Sequence, residues 1–388
     1  MITKAEIFYS DHTDELIKLN YYIYKNPELG NQEIKASDAH TSLLEKNGFQ
    51  IEKEFVGIKT AFKATYTSKK DGPKIAFLAE YDALPKIGHG CGHNILGTAS
   101  TGAGLILKEL IDELGGEVIV LGTPAEETDG AKVDMAKAGV FEDIDIVMSA
   151  HPTGKFHVES GSSQAMEAIR FKYFGKTAHA AGSPHLGINA LDGVITLFNG
   201  INAMRQQICE TDRIHGIIKN GGEAANIIPD FCSADFYVRS RSDKELKILS
   251  ERVKKCAEGA ALATGTRLKM ENYEYSFKDL ITNKKLSETY IKNLKLLGVK
   301  EIKNGGKVGS TDIGDISYCC PVIHPYFPIS ERELIGHSVE FAQASITEKA
   351  HEGMKEAILS MVMTAVEIIV DEELLKEIKE EFLLTHKK

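Results

Sequence analysis

The sequence lacks the features that would direct the protein to nucleic acid or to a membrane. Its 46 Lys and Arg residues are outnumbered by 56 Asp and Glu residues, which gives a net charge of -10 and no basic surface for nucleic acid or anionic lipid. No apolar run is long enough to span a bilayer, and the first residues, MITKAEIFYSDHTDE, contain no apolar signal region. We therefore expect a soluble protein with no nucleic-acid and no membrane partner.

A regular cysteine framework is also absent. The six cysteines are widely and irregularly spaced, a pattern typical of reduced thiols, so we expect a cytoplasmic location. What is present is a long chain of 388 residues, 43% of them hydrophobic. This is more than one average domain and enough for a sizeable core, so the length predicts two folded domains.

One stretch, EYDALPKIGHGCGH from Glu80 to His93, carries a high density of metal-binding side chains. It follows directly on KIAFLA, an apolar run typical of a buried strand, and it contains His89 and Cys91. The Gly between Cys91 and His93 allows a tight turn, so both side chains can face one ion or two neighbouring ions. The stretch supplies only a few ligands, so a metal site here needs others from elsewhere in the chain.

Two further strand-like runs end in residues that bind metals. EVIVLGTPAEE ends at Glu126 and Glu127, and IDIVMSAHP delivers His151. Taken singly, each feature has an ordinary explanation: a core cysteine, a solvated charge pair, a loop histidine. A helical segment between the first two runs predicts a parallel sheet, in which ligands lie beyond the carboxyl ends of the strands. Three such ends together indicate a metal site, in which one Glu binds metal and its neighbour takes a proton from water.

The pattern changes in the middle of the chain. From about Ser163 to Tyr275 the order is strand, helix, two strands, helix, strand, which matches a ferredoxin-like split βαβ sandwich. Long helices and buried strands then resume, including a final long helix predicted from about Glu340 through Val370. We therefore predict an α/β catalytic domain at 1–163 and 277–388, interrupted by an inserted domain at 164–276.

Seven blocks in the expected order resemble the amidohydrolase branch of the aminoacylase and carboxypeptidase metallopeptidase family (clan MH, peptidase family M20). They are EYDALP, GHGCGHN, PAEE, SAHP, GKTAHA with NALD, ANIIPD and GSTD. The resemblance implies a mostly parallel α/β catalytic domain with a two-metal site, usually zinc and sometimes manganese or cobalt. It also implies a smaller lid or dimerisation domain, and hence a homodimer or higher homo-oligomer.

The resemblance further implies which residues bind the metals. The expected ligands are Cys91, His93, Glu127, His151 and His337. Cys91 stands where other branches use a bridging carboxylate, and His337 in LIGHSVEF matches the family's C-terminal ligand better than His324 or His351. Asp82 is expected to orient a ligand from behind. The sequence departs at Glu80, where other branches have a metal-binding His, so Glu80 is doubtful as a ligand.

The resemblance also implies catalytic and substrate-binding roles for individual residues. Glu126 resembles the general base, and His179, reaching into the partner subunit's site with Asn226, resembles the group that stabilises the oxyanion. Arg239 matches a residue that holds a substrate carboxylate, and Asp312 in GSTD is expected to line the substrate pocket. Each has a plainer alternative: an exposed strand-end histidine, a turn-forming Asn, a surface charge, and simple turn chemistry.

The function implied is metal-dependent hydrolysis of an amide bond in a small substrate with a free carboxylate. Such a substrate is an N-acyl or N-aroyl amino acid or a dipeptide. The alternative is a binding or scaffolding protein that keeps the fold without turnover. The presence of the complete set of expected ligands and of Glu126 favours the enzyme.

Overall fold

The computed structural model describes residues 2–386, apart from the side chains at 307 and 308. Its α-helices are α1 (Ile2–Lys25), α2 (Ile34–Lys46), α3 (His93–Leu114), α4 (Ala131–Lys137), α5 (Ala190–Met204), α6 (Asp243–Thr264), α7 (Lys284–Leu296), α8 (Ile313–Ile316), α9 (Val339–Ala344), α10 (Glu348–Val370) and α11 (Glu372–His386). Its strands are β1 (Gln50–Lys53), β2 (Phe62–Thr67), β3 (Lys74–Ala79), β4 (Glu117–Gly122), β5 (Ile146–Met148), β6 (His151–Thr153), β7 (His157–Val158), β8 (Ser162–Ser163), β9 (Ala165–Phe174), β10 (Arg213–Asn220), β11 (Phe231–Ser240), β12 (Arg267–Asn272), β13 (Ile302–Lys303), β14 (Lys307–Val308), β15 (Val322–Ile323) and β16 (Tyr326–Pro328).

The chain divides into two compact units. The first comprises the chain up to Ser162, the segment Leu280–Val308, and the chain from Asp312 onward. The second comprises Ser163–Asp279 together with the short segment Gly309–Thr311. The second unit is thus inserted in the sequence of the first.

A six-stranded sheet forms the centre of the first unit, in the order β1-β2-β4-β3-β5-β15. The four strands from β4 to β15 pair in parallel, whereas β1 and β2 pair antiparallel at one edge. Apolar residues occupy both faces of β3: Phe77 packs in one core cluster, and its neighbour Leu78 packs in another. A parallel strand covered by helices on both sides requires this continuous apolar run. The α/β fold class is confirmed.

The second unit is a four-stranded antiparallel sheet, ordered β10-β11-β9-β12, with α5 and α6 packed against it. Phe171 of β9 and Phe236 of β11 meet at a ring-centroid distance of 5.9 Å. Val194 of α5 and Val253 of α6 belong to the same buried cluster. This strand order and helix placement confirm the predicted ferredoxin-like sandwich.

The predicted helix from Glu340 through Val370 is wrong in one respect, because two helices, α9 and α10, occupy this region. The carbonyl of Ser345 accepts a hydrogen bond from the side chain of Asn20, which competes with a continuing helix. The hydroxyl of Thr347 then accepts the N–H of Ala350 and caps the start of α10. Among the described helices, none combines the length and apolar character needed to cross a bilayer.

Candidate metal centre

Three neighbouring strands of the first unit end at the same edge of the sheet. Strands β4, β3 and β5 are adjacent and parallel, so the segments that follow them emerge side by side. These segments contain EYDALPKIGHGCGH after β3, PAEE after β4 and SAHP after β5. The arrangement places the predicted ligand segments together at the carboxyl end of the sheet.

Gly92 allows the tight approach between two of these segments. Its φ is +79°, in the left-handed region that favours glycine, and it precedes the first residue of α3. A Cβ at this position would lie 2.6 Å from Cγ of Pro152, too close for any side chain. A glycine is therefore required between Cys91 and His93, and it lets Cys91 approach His151.

Among the described residues, the potential ligand atoms form three overlapping groups. Within each group these atoms all lie within 4.8 Å of one another: Cys91 with His93 and His151, Cys91 with Glu127 and His337, and His93 with Glu126 and Glu127. The structure thus brings together all five predicted ligands and the predicted general base. Cys91, His93 and Glu127 each belong to two groups, so the cluster is larger than one ion needs.

Asp82 fixes the orientation of His93. Its Oδ1 lies 2.8 Å from Nδ1 of His93, and its Oδ2 accepts the backbone N–H of Glu127 at 2.9 Å. Both side chains, those of Asp82 and His93, are buried. With Nδ1 bound to Asp82, Nε2 of His93 points to the cluster, where it forms no hydrogen bond to any described residue. Burial opposes protonation of His93, but the adjacent Asp82 and Cys91 raise its pKa well above the usual range.

His151 is held as a neutral imidazole. Its Nδ1 lies 2.7 Å from the carbonyl of Pro152, to which it can donate, and its Nε2 lies 3.5 Å from Sγ of Cys91. Burial, followed by the nearby His324, lowers the pKa of His151 to about 3. The lone pair on Nε2 is therefore available to a metal ion.

His337 joins the cluster from a distant part of the chain. Its φ is +60°, and its backbone N–H donates to the carbonyl of Gly90 at 2.9 Å. Its Nε2 lies 3.2 Å from Oε1 of Glu127. Of the two other histidines considered, His324 is buried beside His151, and His351 contacts Asn20; the preference for His337 stays a prediction.

A buried lysine lies next to the cluster, and the sequence analysis did not predict it. Nζ of Lys132 lies 2.9 Å from Glu80 and 2.6 Å from Asp312, and all three side chains are buried. The second oxygen of Glu80 lies 3.3 Å from Nε2 of His93. Asp312 is fully buried and bound to this lysine, and its expected place in the lining of a substrate pocket stays a prediction. The helical pattern around Lys132 gives no sign of burial, because its two partners lie far away in sequence.

The carboxylate of Glu126 is surrounded by other acids. Burial first, and then the carboxylates of Glu80, Glu127 and Asp312, raise the pKa of Glu126 well above its usual range. A carboxyl group in such surroundings holds a proton readily. Positive charge placed among these acids would lower that pKa and return Glu126 to its ionised form.

The donor set fits divalent metal ions of the zinc class. It combines a thiol, imidazoles and carboxylates, which are the ligand types that zinc accepts. Nε2 of His93 and Oε1 of Glu127 are buried. Each has an oppositely charged neighbour, Glu80 at 3.3 Å and His337 at 3.2 Å, but neither atom forms a contact with hydrogen-bond geometry among the described residues. Burial raises the pKa of the Cys91 thiol, so this group needs a metal to become a thiolate.

The second unit holds the other predicted catalytic residues. His179 is exposed, and its Nδ1 accepts the N–H groups of Ala181 and Gly182 at 3.2 and 3.0 Å. This leaves the proton of the neutral imidazole on Nε2, as a donor. The carbonyl of Asn226 accepts the N–H of Ala180 at 3.0 Å, so the structure brings the two predicted residues, His179 and Asn226, together.

Arg239 is anchored within the second unit. Its Nη1 donates to Oγ of Ser310 at 2.6 Å, and its guanidinium lies 5.2 Å from the centre of the Tyr237 ring. Ser310 belongs to the GSTD block and to the short segment of the second unit that follows Val308. The guanidinium is therefore held in place rather than free on the surface.

Comparison with known proteins shows the family. A family model described as the peptidase dimerisation domain matches residues 166–264. The Xaa-Arg dipeptidase of Mus musculus is 36% identical over 386 residues, which cover 95% of this chain and 89% of that protein. A subunit of the p-aminobenzoyl-glutamate hydrolase of Escherichia coli (strain K12) is 29% identical over 434 residues, covering 92% of this chain and 90% of that protein.

Solved structures show the same fold. An aminobenzoyl-glutamate utilization protein from Klebsiella pneumoniae matches with a TM-score of 0.76 and 18% identity, covering 93% of this chain and 98% of that one. A dinuclear metal-binding peptidase of the M20 family from Bacillus subtilis matches with a TM-score of 0.67 and 19% identity, covering 93% and 99%. The chain belongs to the M20 peptidase family. It is a hydrolase, and metal-dependent hydrolysis of amide bonds is its class of reaction.

Proposed function

We propose that the protein hydrolyses the amide bond of a dipeptide or of an N-acyl or N-aroyl amino acid, with two divalent metal ions. The observation that carries this proposal is the convergence of five ligand side chains and Glu126 at one edge of the sheet. Zinc is the first choice because the cluster includes a thiol and imidazoles; manganese or cobalt is the alternative.

The residues that would hold the ions are Cys91, His93, Glu127, His151 and His337. Cys91 belongs to a group with His151 and to a group with His337, so its thiolate would hold metal together with either histidine. Metal ions bound there would lower the pKa of a water molecule and polarise the scissile carbonyl. Glu80, held by Lys132, would remain outside the ligand set.

Glu126 would act as the general base. Both Glu126 and Glu127 lie within the cluster, but Glu127 is the one that approaches His337. Glu127 would therefore bind metal, which leaves Glu126 for proton transfer. Glu126 would take the proton of the attacking water and pass it to the leaving nitrogen. The acids that raise its pKa make it a good proton carrier once positive charge in the site offsets them.

The second unit would bind the rest of the substrate. Nε2–H of His179 is a donor suited to the oxygen of the tetrahedral intermediate, with Asn226 beside it. The fork of Arg239, fixed by Ser310, suits a substrate carboxylate. We propose a homodimer through this unit, which the dimerisation-domain match supports, with His179 acting in the partner subunit's site.

The similar proteins suggest which substrates to test first. The mouse relative is named for dipeptides with a C-terminal Arg, and the E. coli relative for p-aminobenzoyl-glutamate. We propose the first class, because that relative is more similar over the chain. A cytoplasmic location is also proposed, since the structure has free thiols at Cys91, Cys209, Cys232, Cys256 and Cys320.

A comparison of Glu126→Gln with the wild type tests the proposal. The substitution keeps the size of the side chain and removes its basicity, so kcat on Xaa-Arg dipeptides should fall by about 10²–10⁴-fold. The metal content, measured by elemental analysis, should stay at two ions per chain. Glu142→Gln, on the exposed surface, is the matched control. Wild-type activity in the Glu126 variant would contradict the mechanism.

A further inference from the structure

A buried carboxylate outside the metal cluster contacts the loop that carries Glu126 and Glu127. Glu33, just before α2, is fully buried. Its Oε1 accepts the backbone N–H of Ala125 at 2.9 Å, and its Oε2 accepts the hydroxyl of Thr60 at 2.9 Å. Both oxygens of Glu33 are therefore engaged away from its own helix.

The contacted residue, Ala125, has an unusual backbone conformation. Its φ is +61°, in the left-handed region that residues with a Cβ rarely adopt. It starts a tight turn, because its carbonyl accepts the N–H groups of Thr128 and Gly130 at 3.2 and 2.7 Å. Since Glu126 follows directly, the dihedral angles of Ala125 set the direction in which the next side chains leave the backbone.

The segment before Glu33 contacts the same loop at two more points. A Cβ on Gly30 would lie 2.3 Å from Oγ1 of Thr128, so the backbone of Gly30 packs closely against the side chain of Thr128. The side-chain amide of Asn31 donates to Asp129. Three positions of the NPELGNQE segment thus hold three positions of the loop after β4.

Capping of α2 does not explain why the carboxylate of Glu33 is buried. The side chain of Glu33 forms no capping hydrogen bond to this helix. The first N–H groups of α2 are accepted instead by the carboxylate of Glu28, at 2.8 Å for Lys35 and 3.1 Å for Ala36. Glu33, which unlike Glu28 is fully buried, thus needs another role.

We propose that Glu33 is a positioning residue, whose carboxylate holds Ala125 in its left-handed conformation and so aims Glu126 and Glu127 into the metal cluster. The inference rests on the proposed roles of those two acids. A misplacement of about 1 Å in such a group costs about 10²-fold in rate. The property of Glu33 that matters is therefore the reach of its acceptor atoms, and its charge is secondary.

Three substitutions separate reach from charge. Glu33→Gln keeps the length of the side chain and an acceptor oxygen for Ala125, while its amide can donate to Thr60. Glu33→Asp keeps the charge but is one methylene shorter, and Glu33→Leu removes both acceptors. Glu28→Ala removes the cap of α2 and is the matched control for a general loss of stability in the same segment.

Two measurements on purified full-length protein test the proposal: kcat and KM on a Xaa-Arg dipeptide, and the affinity of metal-free protein for Zn²⁺ by calorimetry. The Gln variant should stay within about 3-fold of wild type in both. The Asp and Leu variants should lose about 10–100-fold in kcat with little change in KM, and about 10-fold in Zn²⁺ affinity. The Glu28 variant should match wild type.

Wild-type values for the Asp and Leu variants would overturn the proposal, and so would a Gln variant as impaired as the Asp variant. If the Leu variant fails to fold, the comparison of Gln with Asp still decides. If no substrate is turned over by the wild type, the proposed function fails, while the Zn²⁺ affinities still test Glu33 by themselves.

Discussion

The carboxylate of Asp82 joins two of the candidate ligands, because one oxygen meets Nδ1 of His93 and the other accepts the backbone N–H of Glu127. The first contact fixes the ring of His93, and the second fixes the loop after β4. A single buried acid therefore couples the segment after β3 to the segment after β4.

Asp82→Asn should weaken metal binding. An Asn has only one acceptor oxygen, so it cannot serve both Nδ1 of His93 and the N–H of Glu127. We expect a loss of about 10–100-fold in Zn²⁺ affinity, measured by competition with a chelator. Asp71→Asn, in an exposed loop, is the control and should bind Zn²⁺ like wild type.

Metal binding should release a proton from Cys91. Burial raises the pKa of this thiol above its usual range, so the thiol is protonated at neutral pH until a metal binds. Cys91→Asp supplies an already ionised ligand, so binding should release about one proton fewer per chain. Calorimetric titrations in buffers of different ionisation enthalpy measure this number, and equal release by both proteins would count against Cys91 as a ligand.

Lys132→Met should destabilise the protein strongly. The change leaves the buried carboxylates of Glu80 and Asp312 without their cation, at a cost of about 3–5 kcal/mol in the free energy of unfolding. Adding Asp312→Asn removes one of the unpaired charges, so the double variant should lose less than the sum of the two single variants. Urea denaturation measures both; Lys137→Met, exposed on the same helix, is the control.

The stability contribution of Glu33 should depend on pH. Burial raises the pKa of Glu33 from 4.5 to about 7, so its ionised form is disfavoured in the folded state. The stability of wild type relative to Glu33→Gln should therefore be highest below pH 4.5, fall as pH rises towards 7, and level off above that. The total change should be about 3 kcal/mol. Denaturation curves of both proteins across this range test the sign; a constant difference would refute it.

Hybrid dimers test whether His179 acts across subunits. His179→Ala chains and Glu126→Gln chains should each be inactive, but a mixed dimer contains one site with both an intact Glu126 and an intact partner His179. Mixing should restore up to about half of the wild-type activity per hybrid dimer. No recovery, with hybrids shown by mass spectrometry, would mean that His179 works within its own chain.

Local patterns in the sequence were sufficient to predict much of the architecture. The apolar run KIAFLA predicts a buried strand, and β3 is indeed covered on both faces. The order of strands and helices after Ser163 predicts the sandwich of the second unit. The break between α9 and α10 was missed, because it depends on a hydrogen bond from Asn20, about 325 residues away along the chain.

The sequence by itself determined the fold class and the family, and it predicted a set of metal-binding side chains, since these depend on residue types in a fixed order along the chain. Only the tertiary structure decided what surrounds them. The burial of Lys132 between Glu80 and Asp312, and the contact of Glu33 with Ala125, join residues far apart in sequence. Such contacts follow from the packing of distant segments, which no local pattern of apolar and polar residues records.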